Sequence, residues 1–297
     1  MTDFELPRNL VEDFEDEAPD SARRAWLAGL EGLVAELVAT WSLAEVGRPF
    51  QPGGASAWVA PVRTTDGRDA VLKVGWTHDE ALHEADGLRF WAGDGTVRLY
   101  ASRAEGATTA LLLERCRPGT PLGEAEQPER QDVVVSEVLR RLWREPPGDM
   151  LFRPLTQMCD AWASEFEDDA AEADDLPDPG IIRAGMELLR GLPRTAQRNV
   201  VLGTDLHAGN ILAAEREPWL VIDPKPYVGD PAYDPVQYML NNPGRLMTDS
   251  DGFIGGIADL AGVDRERLAQ WVFARCVSES IRSRPLREVA EKLAAVT

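Results

Sequence analysis

The hydrophobic period of this chain changes near Pro118, and that change limits what it can fold into. Before it, WSLAEVGRPFQPGGASAWVAPVRTTDGRDAVLKVGW sets Val, Ala and Trp at alternate positions in short runs, broken by PGG near Gly53 and by TTDG at Thr64 to Gly67. Alternation between turn residues is the pattern of an antiparallel meander. VRLYASRAEGATTALLLERC repeats it as two more strands about an EGAT turn. Helical spacing frames these strands. Trp26, Leu27, Leu30, Leu33, Val34, Leu37, Val38 and Trp41 recur at three and four behind a cap at Asp20 or Ser21, and Leu82, Ala85, Leu88 and Trp91 do so again. Past Pro118 helical segments dominate, among them Arg130 to Trp143, Leu155 to Asp168, Ile181 to Leu192 and Arg265 to Ser283. The expected fold class is α+β, with a small antiparallel sheet and its helices in residues 1–117 and a larger, mainly helical region in 118–297.

Charge narrows the partners. The 297 residues hold 51 acidic against 31 basic side chains, a net charge of -20. That field repels a nucleic-acid backbone and an anionic membrane surface, and it either serves solubility or draws in a small cationic molecule. Cys116, Cys159 and Cys276 are scattered and form no CxxC pair, which argues against a disulfide framework or a zinc site. The N-terminus is acidic where a signal peptide is basic, and no apolar run approaches the roughly 20 residues of a membrane span, so a cytoplasmic protein, monomeric or dimeric, is expected.

The chemistry concentrates in VLGTDLHAGNIL, residues 201–212, and VIDPKPYVGDP, which starts at Val221. Asp205 and Asn210 stand in the order D-x-x-x-x-N, and Asp223 follows the aliphatic WLVI. Phosphoryl transfer from a nucleotide needs such a set. One carboxylate orients the acceptor hydroxyl and receives its proton, while an amide oxygen and a second carboxylate hold Mg²⁺ against the phosphates.

TDLHAGNIL followed by VIDPKPYVGDPAYD resembles the catalytic and metal-binding segments of the aminoglycoside phosphotransferases, a family similar in fold to the protein kinases. The form with Lys225 and Asp230 to Asp234 looks most like the streptomycin 6-phosphotransferase branch, which groups with hydroxyurea phosphotransferase-like sequences. The match runs from about Phe50 to Asn241. It implies a bilobal, protein-kinase-like fold using ATP and Mg²⁺, with Asp205 as the catalytic base and Asn210 and Asp223 as metal ligands. One departure is visible: the family usually has His-Gly before the catalytic Asp, and here Gly203 and Thr204 stand there, a difference that falls on loop packing.

Lys73, in AVLKV, leaves its charge on one face of an apolar strand; in kinase-like folds such a Lys grips the α- and β-phosphates and is steadied by a Glu of the next helix. Glu84 is the first candidate and Glu80 the alternative. PGGASAWV is either a phosphate-covering loop, with Ser56 as a donor, or a simple hairpin turn. Glu114 to Cys116 resembles the inter-lobe hinge, whose backbone would pair with adenine, and Cys116 itself reads as a buried apolar residue. His207 either assists the transferred phosphate or holds its loop by a backbone hydrogen bond. Lys225 either neutralises charge near the phosphates or makes a surface ion pair. The acceptor is the least determined part. Residues 165–179 hold eight acidic side chains, either a solvated acidic loop or a negative wall for a guanidinium-bearing aminoglycoside, and Asp230 and Asp234 are further acceptor contacts, with Asp234 alternatively a helix cap. The implied activity is Mg²⁺-ATP-dependent phosphorylation of an aminoglycoside hydroxyl, with antibiotic inactivation as its consequence. The alternatives are a kinase for an amino sugar, hydroxyurea or other small molecule, and a catalytically silent nucleotide-binding module.

Overall fold

The computed structural model describes residues 4–15, 21–77, 83–148, 152–173 and 175–295, and its contacts divide the chain into two compact units, Met1–Gly119 and Thr120–Thr297. Asp20, Glu80 and Leu82, named above, lie outside the described residues, as does Asp174 of the acidic stretch.

The N-terminal unit is built on a five-stranded antiparallel sheet. In chain order its elements are α1 (Arg8–Glu15), α2 (Ala22–Thr40), β1 (Leu43–Val46), β2 (Ala57–Thr64), β3 (Asp69–Trp76), α3 (Glu84–Trp91), β4 (Leu99–Glu105) and β5 (Thr108–Glu114), and the strands lie in the order β1-β2-β3-β5-β4. Alternation decides the faces. Trp58, Ala60 and Val62 of β2, Ala70, Leu72 and Val74 of β3, and Ala110 and Leu112 of β5 form one core cluster with Leu10, Phe14, Trp26, Leu30, Val34 and Leu37 of the first two helices. Ser21 caps α2 by accepting from the Arg24 amide at 3.2 Å, and Trp26 donates its indole N–H to Thr108 Oγ1 at 2.9 Å. Lys73 stands between Val59 and Leu111 in the register, on the face away from that core.

The C-terminal unit is mainly helical. It contains α4 (Leu122–Ala125), α5 (Pro128–Leu142), β6 (Arg153–Pro154), α6 (Leu155–Glu172), α7 (Pro179–Gly191), β7 (Val200–Leu202), β8 (Ile211–Ala213), β9 (Trp219–Val221), β10 (Tyr227–Gly229), α8 (Val236–Leu240), α9 (Pro243–Ala261), α10 (Arg265–Ser278) and α11 (Arg284–Ala294). The helices α7 and α10 approach closely because Gly185 has no side chain; a Cβ there would sit 2.6 Å from Val277 Cβ. Two small sheets carry the loops of interest. β10 pairs parallel with β6 and antiparallel with β7, while β8 and β9 form a hairpin.

Three helices depart from their sequence pattern. The expected helix to Ser283 ends at Ser278, and Ser283, accepting from the Leu286 amide, starts α11 instead. α9 carries four interior glycines and a non-helical Asp249 (φ -146°), so its propensity is weak and packing holds it. α1 has an acidic, mixed sequence whose helix is stabilised by burying Leu10 and Phe14 against the sheet.

Candidate active site

The Asp205 turn leaves β7, whose Val200, Val201 and Leu202 are fully buried and so hold its end in place. Gly203 and Thr204 follow, and their amides donate to the carboxylate of Asp234 at 3.1 and 2.7 Å. Trp143 Nε1 donates to the same carboxylate at 2.9 Å. Asp234 is 0% exposed; burial pushes its carboxyl up to about 6, opposed by these three N–H donors, the Trp143 indole foremost. Thr204 has φ 47°, a conformation costly for a β-branched residue, and the surroundings that hold it include its own hydroxyl, which donates to the Lys225 carbonyl at 2.6 Å. In return the Lys225 amide donates to the Gly203 carbonyl at 2.9 Å.

These bonds explain the Gly-Thr departure. Thr204 ties the turn to the Asp223–Lys225 segment by its hydroxyl, and Asp234 holds the two preceding amides from beneath.

Asn210 and Asp223 reach the turn through the hairpin. Ile211 pairs with Val221, and the Ile222 amide donates to the Asn210 carbonyl at 2.9 Å, so the residue after Ile222 emerges beside Asn210. Asn210 Nδ2 donates to the Asp205 carbonyl at 3.0 Å, which directs its nitrogen inward and leaves its amide oxygen for a cation. Asp223 sits at φ 53°, a second strained residue of the same cluster. His207 Nδ1 accepts from the Gly209 amide at 3.1 Å, the loop-holding role; burial holds its imidazole below the ordinary range, outweighing the charge of Asp205. Lys225 Nζ lies 2.8 Å from Asp205 Oδ2, with the two side chains 23% and 20% exposed. One amide oxygen and one carboxylate are hard donors but few, and among the described residues no three His, Cys, Asp or Glu side chains gather to hold a metal alone. That set fits a hard divalent cation that keeps waters and takes its remaining oxygens from phosphates.

Asp230 and Asp234 are not placed as acceptor contacts. Asp230 is 4% exposed, accepts from Trp271 Nε1 at 2.8 Å and from the Arg267 guanidinium, and caps the turn at Ala232; both carboxylates are enclosed by donors of the protein itself. Asp234 caps no helix with its side chain either, since its oxygens go to the Asp205 turn. The acidic stretch is likewise corrected. Residues 165–172 lie on α6 rather than on a loop, and Glu165 and Asp169 pair with Arg282 at 2.8 and 2.6 Å, Glu167 with Arg190 at 2.8 Å and Asp175 with Arg287 at 2.6 Å. Asp178 caps α7 at the Gly180 amide.

In the N-terminal unit Lys73 Nζ meets Glu84 Oε2 at 2.7 Å, and Glu84 is 3% exposed in the first turn of α3, where the helix dipole also favours its charge. Gly53, at φ 79°, is approached by the N-terminal segment: a Cβ there would lie 2.5 Å from Pro7 Cβ, and Asn9 donates to the Gly53 carbonyl at 2.8 Å. Ser56, just before β2, offers its carbonyl to the Trp76 amide at 3.0 Å. Glu114 ends β5 with its carboxylate accepting from the Arg98 amide at 3.0 Å, and Cys116 is half-buried. A groove of about 560 Å³ in the C-terminal unit, lined by Ile181, Leu188, Ile254 and Phe273 among others, includes none of Asp205, Asn210 and Asp223. No described helix is long and apolar enough to cross a membrane.

With this geometry in view, the model of the aminoglycoside/hydroxyurea antibiotic resistance kinases matches residues 40–285. The chain belongs to that family. Two curated relatives agree. A streptomycin 6-kinase of Streptomyces griseus is 33% identical over 290 residues, covering 93% of this chain and 90% of that protein. A hydroxyurea phosphotransferase of Kitasatospora aureofaciens is 35% identical over 287 residues, covering 93% and 79%. Among solved structures, an amicoumacin kinase in complex with AMP-PNP and Ca²⁺ superposes with a TM-score of 0.63 at 12% identity, covering 93% of this chain and 100% of that one. A choline kinase from Streptococcus pneumoniae gives 0.59 at 14% identity, covering 90% and 98%. These neighbours show the protein-kinase-like fold, and this kinase family member is a phosphotransferase.

Sequence reasoning missed how Asp234 and Thr204 act. The signal for Asp234 is weak, a carboxylate ahead of an apolar helix, which any cap supplies.

Proposed function

We propose that this kinase transfers the γ-phosphoryl group of ATP to a hydroxyl of an aminoglycoside in the cytoplasm, with the 6-hydroxyl of streptomycin as the first acceptor. The observation that carries the reading is the Asp205 turn, locked by Asp234, Lys225 and Asn210 so that one carboxylate is presented at a fixed place beside Asn210 and Asp223. Fixed placement is what a loose phosphoryl-transfer transition state rewards, since it needs alignment and charge neutralisation more than a strong base.

In this reading Asp205 accepts a hydrogen bond from the acceptor hydroxyl and takes its proton late. Asn210 and Asp223 would hold Mg²⁺, which neutralises phosphate charge when bound. Lys73, steadied by Glu84, would hold the α- and β-phosphates, with Ser56 and the backbone from Glu114 to Cys116 as further nucleotide contacts. The net charge of -20 draws a cationic acceptor toward the protein. Two relatives named streptomycin 6-kinase, 33% and 32% identical, support the acceptor.

The test is the mass and linkage of the product from streptomycin and ATP: a monophosphate on the 6-hydroxyl is expected, and an unmodified antibiotic alongside another phosphorylated acceptor refutes the choice. Hydroxyurea is the second reading, favoured by the 35% identity to a hydroxyurea phosphotransferase, and it belongs in the same assay.

A further inference from the structure

We infer that Lys225 is a catalytic residue whose ammonium contacts the transferred phosphoryl group. This deepens the reading of Asp205 as the residue that takes the acceptor proton, and it rests on that reading.

Its backbone is held at both ends. The Lys225 amide donates to the Gly203 carbonyl at 2.9 Å and its carbonyl accepts from Thr204 Oγ1 at 2.6 Å, so its Cα is tied to the two residues that precede Asp205. From there the side chain reaches Asp205 Oδ2 at 2.8 Å.

Distance then constrains what the ammonium can meet. An acceptor hydroxyl bonded to the Asp205 carboxylate stands about 2.7 Å from it, and in a reactive pose the phosphorus stands about 3–3.5 Å beyond. A cation bonded to the same carboxylate on its acceptor-facing side can therefore come within about 5 Å of the phosphoryl oxygens, a gap that a four-carbon stem crosses by rotating. An ammonium carries three donors, so it can keep one contact to Asp205 while giving another to a phosphoryl oxygen.

Charge makes the contact useful. The phosphoryl oxygens approach a carboxylate of the same sign, and a cation between them removes that repulsion. In the step, the acceptor oxygen bonds to phosphorus as the bond to the β–γ bridging oxygen breaks. ADP leaves with the electron pair, the hydroxyl proton passes to Asp205, and Lys225 stays protonated throughout. Holding the loop does not require the ammonium, because Asp234, Thr204 and Asn210 already tie it with four hydrogen bonds.

Lys225→Met and Lys225→Arg test this beside the parental protein, by ADP release with streptomycin and with hydroxyurea, AMP-PNP affinity, melting temperature, and the rate ratio of ATP to ATPγS. Expected for Lys225→Met is a fall in kcat of about a hundredfold or more. AMP-PNP affinity and melting temperature should stay at parental values, the ATP/ATPγS ratio should shrink because a contact to a non-bridging oxygen is gone, and Lys225→Arg should recover part of the rate. A kcat within threefold of parental, a loss of rate with an unchanged sulfur ratio, or a loss explained by weaker AMP-PNP binding and lower melting temperature overturns the inference. A parental protein that releases no ADP with either acceptor overturns the phosphotransfer reading, and this inference with it.

Discussion

The protein holds two Lys–carboxylate pairs of nearly equal length and different surroundings. Lys73 and Glu84 meet at 2.7 Å with side chains 17% and 4% exposed, strand against helix; Lys225 and Asp205 meet at 2.8 Å with 23% and 20% exposed, loop against loop. In the first, the fold needs the cation, because a carboxylate sunk in the protein cannot stay ionised alone. In the second, both groups still reach water and the backbone is held by other bonds, so the pair is available to exchange partners. Equal distances thus describe a strut in one unit and, on the proposed mechanism, a reactive contact in the other.

The largest effect expected falls on the second pair. Asp205→Ala should lower turnover by about 10²–10⁴-fold with AMP-PNP affinity and melting temperature little changed; parental turnover in an ADP-release assay would end the contrast. Lys73→Met should do the reverse in stability, costing about 3–5 kcal/mol because Glu84 is left buried without the Lys73 ammonium, while Lys73→Met/Glu84→Gln should melt well above the single variant yet remain impaired toward ATP. Equal melting temperatures for Lys73→Met and Lys225→Met would erase the distinction between the pairs.

Asp234 sharpens the comparison through pH. Its folded value of about 6 lies above the ordinary 3.8, so between these the folded protein keeps a proton that the unfolded chain has released. The contribution of this group is therefore most favourable near pH 4 and below, declines as pH rises toward 6, and is level above. The stability difference between the parental protein and Asp234→Asn should change by about 3 kcal/mol across that window, read from denaturant midpoints at several pH values. Asp234→Asn should also lower turnover at neutral pH, since an amide NH₂ cannot accept from the Gly203, Thr204 and Trp143 donors together. The smallest change is expected from Thr204→Ala, about 1 kcal/mol for its hydrogen bond to Lys225, partly returned by removing a β-branched side chain at φ 47°. A loss no greater in Thr204→Gly, which also frees the backbone, would place the cost in the hydroxyl.

Much of this was legible in the residues. The alternation in β2, β3 and β5 predicted which face of the sheet is buried and left Lys73 opposite, and the resemblance to kinase-like folds named Glu84, ahead of Glu80, as its partner. The D-x-x-x-x-N spacing with Asp223 after WLVI predicted the cluster that the β8–β9 hairpin brings together. Periodicity and spacing are local, and they survive in a single chain because each element's face and each short loop's reach depend on a few neighbouring residues.

The partners of Asp230 and Asp234 were not legible, and their enclosure by donors of the protein itself lends the reading as acceptor contacts no support. A carboxylate in a polar stretch gives no sign of whether it faces water or an indole; Trp143 and Trp271, which donate to these two, stand 91 and 41 residues away. The same holds for the acidic segment, whose arginine partners Arg282 and Arg287 lie on the far side of four helices in sequence. Residue order along the chain specified the candidate carboxylates and amide. Only the tertiary structure decided which aspartates are enclosed and which stay open, because burial and charge pairing depend on segments distant in sequence that packing brings together.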